Sequence, residues 1–127
     1  MKRIFMTRTF ARWMRKAGLT DQALCQAVSE MSQGLIDADL GGNVVKKRVP
    51  LPGRGKRGGT RTIVATNRDD YWFFLYGFEK NERANIDKDE IKALQELAAE
   101  YLAIDNQGIE LAVSSGKFME VHDGNKA

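Results

Sequence analysis

A single cysteine, Cys25, and a single histidine, His122, occur in the 127 residues. One thiol cannot close an internal disulfide, and the pair cannot supply a Cys- or His-based metal site, so disulfide-stapled and zinc-built scaffolds are excluded. Only two prolines are present and no low-complexity tract occurs, which argues against fibrous or wholly disordered chains. No uninterrupted apolar run approaches the roughly 18 residues of a membrane span. The stretch from Met1 to Met14 is broken by Arg3, Arg8 and Arg12, so no secretory h-region is expected either. The expectation is a cytoplasmic protein with no membrane partner, no metal and no cofactor.

Acidic residues are missing from two long segments. Residues 1–20 carry six basic side chains and no carboxylate, and residues 43–68 carry eight and none. From Asp69 onward thirteen acidic positions face six basic ones, so a net charge of only +3 hides a basic first half and an acidic second half. Segregation of this kind is the footprint of a protein that meets a polyanion, or else an uneven solvated surface.

What is present is globular: 43% apolar and 29% charged residues, at a length typical of one domain. The expected division is one domain over residues 1–104 and an extension over 105–127 that packs on it, with 124–127 disordered. Phe10, Trp13, Met14 and Ala17 recur at helical spacing, which predicts a helix over 8–17 ended by Gly18, with a basic outer face. Thr20 and Asp21 open a second helix over 21–33, whose stripe runs Leu24, Val28, Met31 and Leu35 up to the Gly34 stop. Asp87 with Glu90 three residues later makes a capping-box start for a third, striped by Ile91, Leu94, Leu97, Ala98, Tyr101 and Leu102.

Between the second and third helices the pattern becomes β-type: Val44–Val49, Thr60–Ala65 and Tyr71–Phe78 predict consecutive antiparallel strands, the last two joined as a hairpin by Asn67–Asp70. The run Tyr71-Trp72-Phe73-Phe74-Leu75-Tyr76 lacks alternation, as a central strand covered on both faces does. Beyond Ile104, residues 109–113 read as a short helix or turn and 117–121 as a short extended segment. The order predicts an α+β fold in which helices pack on a small twisted antiparallel sheet.

The segment Pro50–Gly59 joins two strands with glycines while carrying Arg54, Lys56 and Arg57. Glycines let a backbone approach a phosphate, and Arg and Lys supply charge-assisted hydrogen bonds to its oxygens. The Walker motif is not met, because Gly59 stands where it needs Lys, so a nucleoside-triphosphatase is not expected. The alternative is a solvated hairpin. Lys46, Lys47 and Arg48 on the preceding strand extend the basic region. By parity Arg61 shares a face with Ile63 and Ala65; if that face is the inner one, Arg61 lies at the mouth of a groove, where its partner is either an anionic ligand or Glu82.

Taken together, Gly55-Lys56-Arg57-Gly58-Gly59-Thr60-Arg61, the strand ending Leu75-Tyr76-Gly77-Phe78, and Lys80-Asn81-Glu82-Arg83-Ala84-Asn85-Ile86 resemble the RelE/HigB-type toxins of bacterial type II toxin–antitoxin systems, over about residues 43–104. The resemblance implies a RelE-like, microbial-ribonuclease-type fold and an antitoxin partner, itself a DNA-binding protein, that covers the basic groove. It also implies metal-independent cleavage of mRNA on the ribosome. Carried over residue by residue, it points to Arg57, Arg61, Lys80 and Glu82 as catalytic, and to Lys46, Lys47, Arg48, Arg54 and Lys56 as RNA-binding. Glu82 is either a general base or an orienting group. The other reading is a non-enzymatic protein of the same fold, acting on a gyrase-type target or binding only antitoxin and nucleic acid. Tyr101, on the apolar stripe, reads as core, His122 as surface, Cys25 as a small buried side chain, and the aromatic strand as core in preference to a base-stacking platform.

Overall fold

Residues 2–51 and 59–122 are described by a computed structural model of the chain. Thr7 ends the first strand, β1 (Arg3–Thr7), and caps the first helix, α1 (Arg8–Ala17): its Oγ1 accepts the Phe10 N–H at 3.1 Å. Gly18 closes α1 in the left-handed region at φ 84°, with its N–H on the Met14 carbonyl. Thr20 caps α2 (Asp21–Ser32) by accepting the Ala23 N–H at 3.1 Å. Leu35, expected on the α2 stripe, falls beyond the left-handed Gly34 and is 56% exposed, because the helical phase ends at that turn.

Next come β2 (Ala38–Gly41), β3 (Val44–Val49), β4 (Thr60–Thr66), β5 (Tyr71–Glu79), α3 (Lys88–Leu102), α4 (Asn106–Ser114) and β6 (Phe118–Val121). The sheet order is β2-β3-β4-β5-β1-β6. As expected, β3, β4 and β5 are consecutive and antiparallel, with β5 interior. Asn67 ties the β4–β5 turn by accepting the N–H groups of Asp69, Asp70 and Tyr71. The expected α+β fold is present, but the sheet is mixed: β1 runs parallel to β5 and antiparallel to β6. β1 shows no alternation in the sequence, and β2 is too short for its alternation to read as a strand. Ile4, Phe5 and Met6 are all buried, since β1 is covered on both faces, and β2 is a four-residue edge strand. Residues 106–121 add α4 and β6 to this same sheet.

Helices cover both faces. On one, Phe10 and Met14 of α1 and Leu24, Val28 and Met31 of α2 pack on Ile4, Met6, Val45, Val64, Trp72 and Phe74. On the other, Ala98 of α3 and Ile109 and Ala112 of α4 pack on Phe5, Ile63, Ala65, Phe73, Phe78 and Phe118. Ala98 is the one fully buried residue of α3; Ile91, Leu94, Leu97 and Tyr101 are half-buried. Tyr101 does serve as core, its ring 5.6 Å from that of Phe73 and edge-on to Phe118 at 4.9 Å, and burial pushes its phenol pKa up. The capping box is formed: Asp87 accepts the Glu90 N–H at 2.9 Å and Glu90 accepts the Asp87 N–H at 3.2 Å.

One bulge organises β5. Ile63 pairs with Tyr76 but Val64 pairs with Phe74, so Leu75 is an extra residue. Trp72 and Phe74 belong to the α1 side, whereas Leu75, Tyr76 and Phe78 all belong to the α3 side. Gly77 then faces α1, where a Cβ would stand 2.2 Å from the Trp13 ring, so this glycine is what lets α1 lie against the strand.

Arg3 and Lys47 tie elements together through ion pairs. Arg3 grips Glu120 of β6 in bidentate fashion at 2.8 and 2.9 Å and reaches Glu110 of α4 at 3.2 Å. Lys47, 7% exposed, points to the α2 side, where its Nζ meets Glu30 Oε1 at 2.9 Å and donates to the Leu35 carbonyl at 2.9 Å. The Lys47 hydrogen bond, with a smaller one from Gln26, holds the Glu30 carboxyl below its ordinary pKa. Cys25 is half-buried against the α1–α2 core, less enclosed than expected, and His122 is at the surface. The expected disorder of 124–127 lies outside the described residues.

Candidate functional site

Residues directly opposed in an antiparallel ladder send their side chains to the same face. Arg48 opposes Arg61, and Arg61 opposes Phe78, forming a cross-strand row on the α3 side of the sheet. One step further in, Lys46 opposes Ile63, which opposes Tyr76. Lys46, Arg48 and Arg61 thus share one surface, Arg48 exposed and the other two half-buried. Among the described residues no carboxylate forms an ion pair with any of the three. Asp37, the nearest acid by hydrogen bonding, spends Oδ2 on the Arg48 backbone N–H at 2.5 Å. Like charges set directly across a ladder repel, so the row is a standing cost that an anion would relieve.

The last pair of this ladder is Val49 with Thr60. The chain therefore leaves and re-enters the sheet beside the Arg48–Arg61 row. Arg54, Lys56 and Arg57, expected to act from the connecting loop, lie outside the described residues. Lys47, adjacent in sequence to Lys46 and Arg48 and expected beside them, is not brought to this surface: strand parity turns it to the opposite face and into the Glu30 pair.

Past the end of β5 the chain turns sharply, with the Glu82 N–H on the Glu79 carbonyl at 2.9 Å. Lys80 is exposed on this turn. Glu82 Oε1 accepts the Glu79 N–H at 2.9 Å, so this carboxylate braces the turn; the alternative Glu82–Arg61 pair does not form.

Arg83, absent from the expected set, is the best-anchored cation here. It clasps both carboxylate oxygens of Glu90, donates Nε–H to the Asn85 carbonyl at 3.0 Å, and lies 5.7 Å over the Phe78 ring. Tyr76 Oη is 3.4 Å from its Nη1. The Arg83 hydrogen bond, helped by the Asp87 N–H, pulls the Glu90 pKa down to about 2, and Glu90 in turn raises that of Arg83. The sequence signal was a cation seven residues before the capping-box glutamate, a spacing with meaning only once Ile86 has folded the intervening turn inward.

On the other side of β5, β1 pairs only as far as Met6 with Phe74. Beyond that point α1 runs alongside β5 and leaves a groove of about 380 Å³ against the 79–83 turn. α1 carries Arg8, Arg12, Arg15 and Lys16 on its exposed face and no acid. Arg15 and Lys16 suit the carboxyl end of a helix, but Arg8 opposes the dipole, and the Arg8–Arg12 and Arg12–Lys16 spacings each cost about 0.2–0.5 kcal/mol in repulsion. Among the described residues no cluster of three His, Cys, Asp or Glu side chains could hold a metal ion, and no helix is long and apolar enough to cross a membrane.

The fold is thus a two-sided α+β sandwich that gathers Lys46, Arg48 and Arg61 at one end of its sheet. The family model described as the RelE toxin of the RelE/RelB toxin–antitoxin system matches residues 2–121, and the chain belongs to this RelE toxin family. The match extends well beyond the 43–104 resemblance, taking in β1 and the α4–β6 segment. Membership implies an antitoxin partner. No curated protein matches the chain.

Proposed function

We propose that the protein is a toxin of a type II system that inhibits translation as a metal-independent endoribonuclease, cutting mRNA on the ribosome. The observation that carries this reading is the Arg48–Arg61 row, two arginines directly opposed across the ladder with no carboxylate paired to either among the described residues. In cleavage without a metal the substrate's own 2′-hydroxyl attacks the adjacent phosphate, giving a cyclic phosphate and a released 5′-hydroxyl. Such a step needs a base, a charge stabiliser for the phosphorane and an acid. Arg61, with Arg48, is assigned the phosphorane charge, where planar donors match phosphate oxygens. Lys80 and Glu82 on the turn and Arg57 on the loop are the proton-transfer and positioning candidates, and Lys46, Arg54 and Lys56 track the RNA backbone.

The test is inducible expression in a bacterial host, with primer extension on translated and untranslated versions of one reporter transcript. Discrete cuts are expected only in the translated message. Arg61→Ala should reduce cutting by about 10²–10³-fold, the usual cost of removing one charge-stabilising donor. Growth arrest with intact message would overturn the nuclease reading and make a non-RNA target the leading one.

A further inference from the structure

The groove between α1 and the 79–83 turn shares only Glu82 with the set assigned to the chemistry of the Arg48–Arg61 row, and it is built differently from the rest of the surface. One wall is α1, which presents Arg12 and Lys16 one helical turn apart, neither engaged by a carboxylate among the described residues. The other wall is the end of β5 and the turn, where Arg83 is held rigid by Glu90. Glu82 also lines it, with one oxygen already committed to the Glu79 N–H. Between the walls lies the half-buried Trp13, braced by the Phe10 ring at 5.4 Å and seated on Gly77, where any side chain would strike it.

A rigid indole beside two uncompensated cations is the recognition chemistry of a nucleotide: the ring stacks a base while the cations take the phosphate. At about 380 Å³ the groove has room for one such unit. An acidic peptide would satisfy Arg12 and Lys16 but would leave the braced indole without a role. Tyr76, Phe78 and Arg83 belong both to this groove and to the margin of the Arg48–Arg61 row, so a single strand could pass from one to the other across the end of β5.

We infer that this groove is a second nucleotide subsite, in which Trp13 stacks a base flanking the cleaved bond while Arg12 and Lys16 hold its phosphate. The inference rests on the RNA-cleaving reading for its substrate, although not for its geometry. Trp13 itself is the probe, because Trp72, the other tryptophan, is fully buried.

The experiment is titration of the purified protein with a 2′-O-methyl tetranucleotide, which lacks the attacking hydroxyl, followed by tryptophan emission. Saturable quenching is expected, absent in Trp13→Phe. The surface double variant Arg12→Ala/Lys16→Ala should bind about tenfold more weakly, with a salt slope shallower by about 0.7 for each phosphate that is no longer neutralised. It should also cut a translated message less efficiently while melting at or slightly above the wild-type temperature, since the Arg8–Arg12 and Arg12–Lys16 repulsions are relieved. No quenching by the oligonucleotide, or a double variant with unchanged affinity and salt slope, would overturn the subsite. So would quenching by a polyglutamate peptide in place of RNA, which would assign the groove to a protein partner. If messages stay intact while Trp13 still reports the oligonucleotide, cleavage is wrong and the subsite stands; if messages are cut and Trp13 stays silent, the subsite alone fails.

Discussion

The two faces of the sheet are covered by helices of similar number and very different closeness. Phe10, Met14, Leu24, Val28 and Met31 of α1 and α2 are fully buried, whereas α3 buries Ala98 and leaves Ile91, Leu94, Leu97 and Tyr101 half-covered. Adjacent cations on β3 feel this difference directly. Lys47, turned to the close-packed face, is tied to Glu30 and the Leu35 carbonyl, as burial of a charge demands. Arg48, turned to the looser face, needs no such partner and stands beside Arg61. The closer helix packing lies on one side of the sheet, and the other side carries the repelling charges.

The largest loss should therefore come from the close-packed face. Phe74→Ala is expected to cost about 3–5 kcal/mol in urea unfolding. Gly77→Ala should cost about 1–3 kcal/mol by forcing Trp13 off β5, a change that near-ultraviolet dichroism would register. Leu97→Ala on the looser face should cost about 1 kcal/mol or less; a loss matching Phe74→Ala would erase the contrast between the faces.

Acid should act chiefly on the looser side. The Glu90 carboxyl lies at about 2 in the fold against an ordinary 4.5, held there first by Arg83 and then by the Asp87 N–H. Since the fold favours its ionised form, this stabilisation is complete above about pH 4.5 and is lost as pH falls toward 2. In Arg83→Ala, a carbon-detected titration should find Glu90 raised toward its ordinary 4.5, the Asp87 N–H still holding it somewhat below; a value still near 2 would remove Arg83 as the chief cause. The smallest effect is opposite in sign: Arg61→Ala should stabilise by a few tenths of a kcal/mol at low salt, by relieving Arg48, and the gain should fade as salt is raised.

Much of this architecture was legible because its signals are local. The Thr20 and Asp87 caps, the Gly18 stop, the Asn67 turn and the unalternating β5 each rest on residues a few positions apart. β1 was not legible, because a strand buried on both faces and only five residues long has no period to read. Nor was Arg83, whose partners Tyr76 and Glu90 come together only after a turn has closed. Arg61 was placed correctly on the face of Ile63 and Ala65, since parity is a property of the strand itself. The separation of Lys47 from Lys46 and Arg48 is set by that same parity, but a run of three cations conceals it.

The extra residue in β5 has a consequence for how this strand can change over time. Trp72 and Phe74 serve one core while Tyr76 and Phe78, at positions of the same parity, serve the other. Leu75 acts as a frame shift within a single strand, after which every side chain answers to a different set of neighbours. Point substitutions can be absorbed on either side of it one at a time. Straightening the strand so that Leu75 entered the ladder would instead turn Tyr76 and Phe78 toward α1 and the glycine away from Trp13, undoing the groove and the margin of the cationic row in one step.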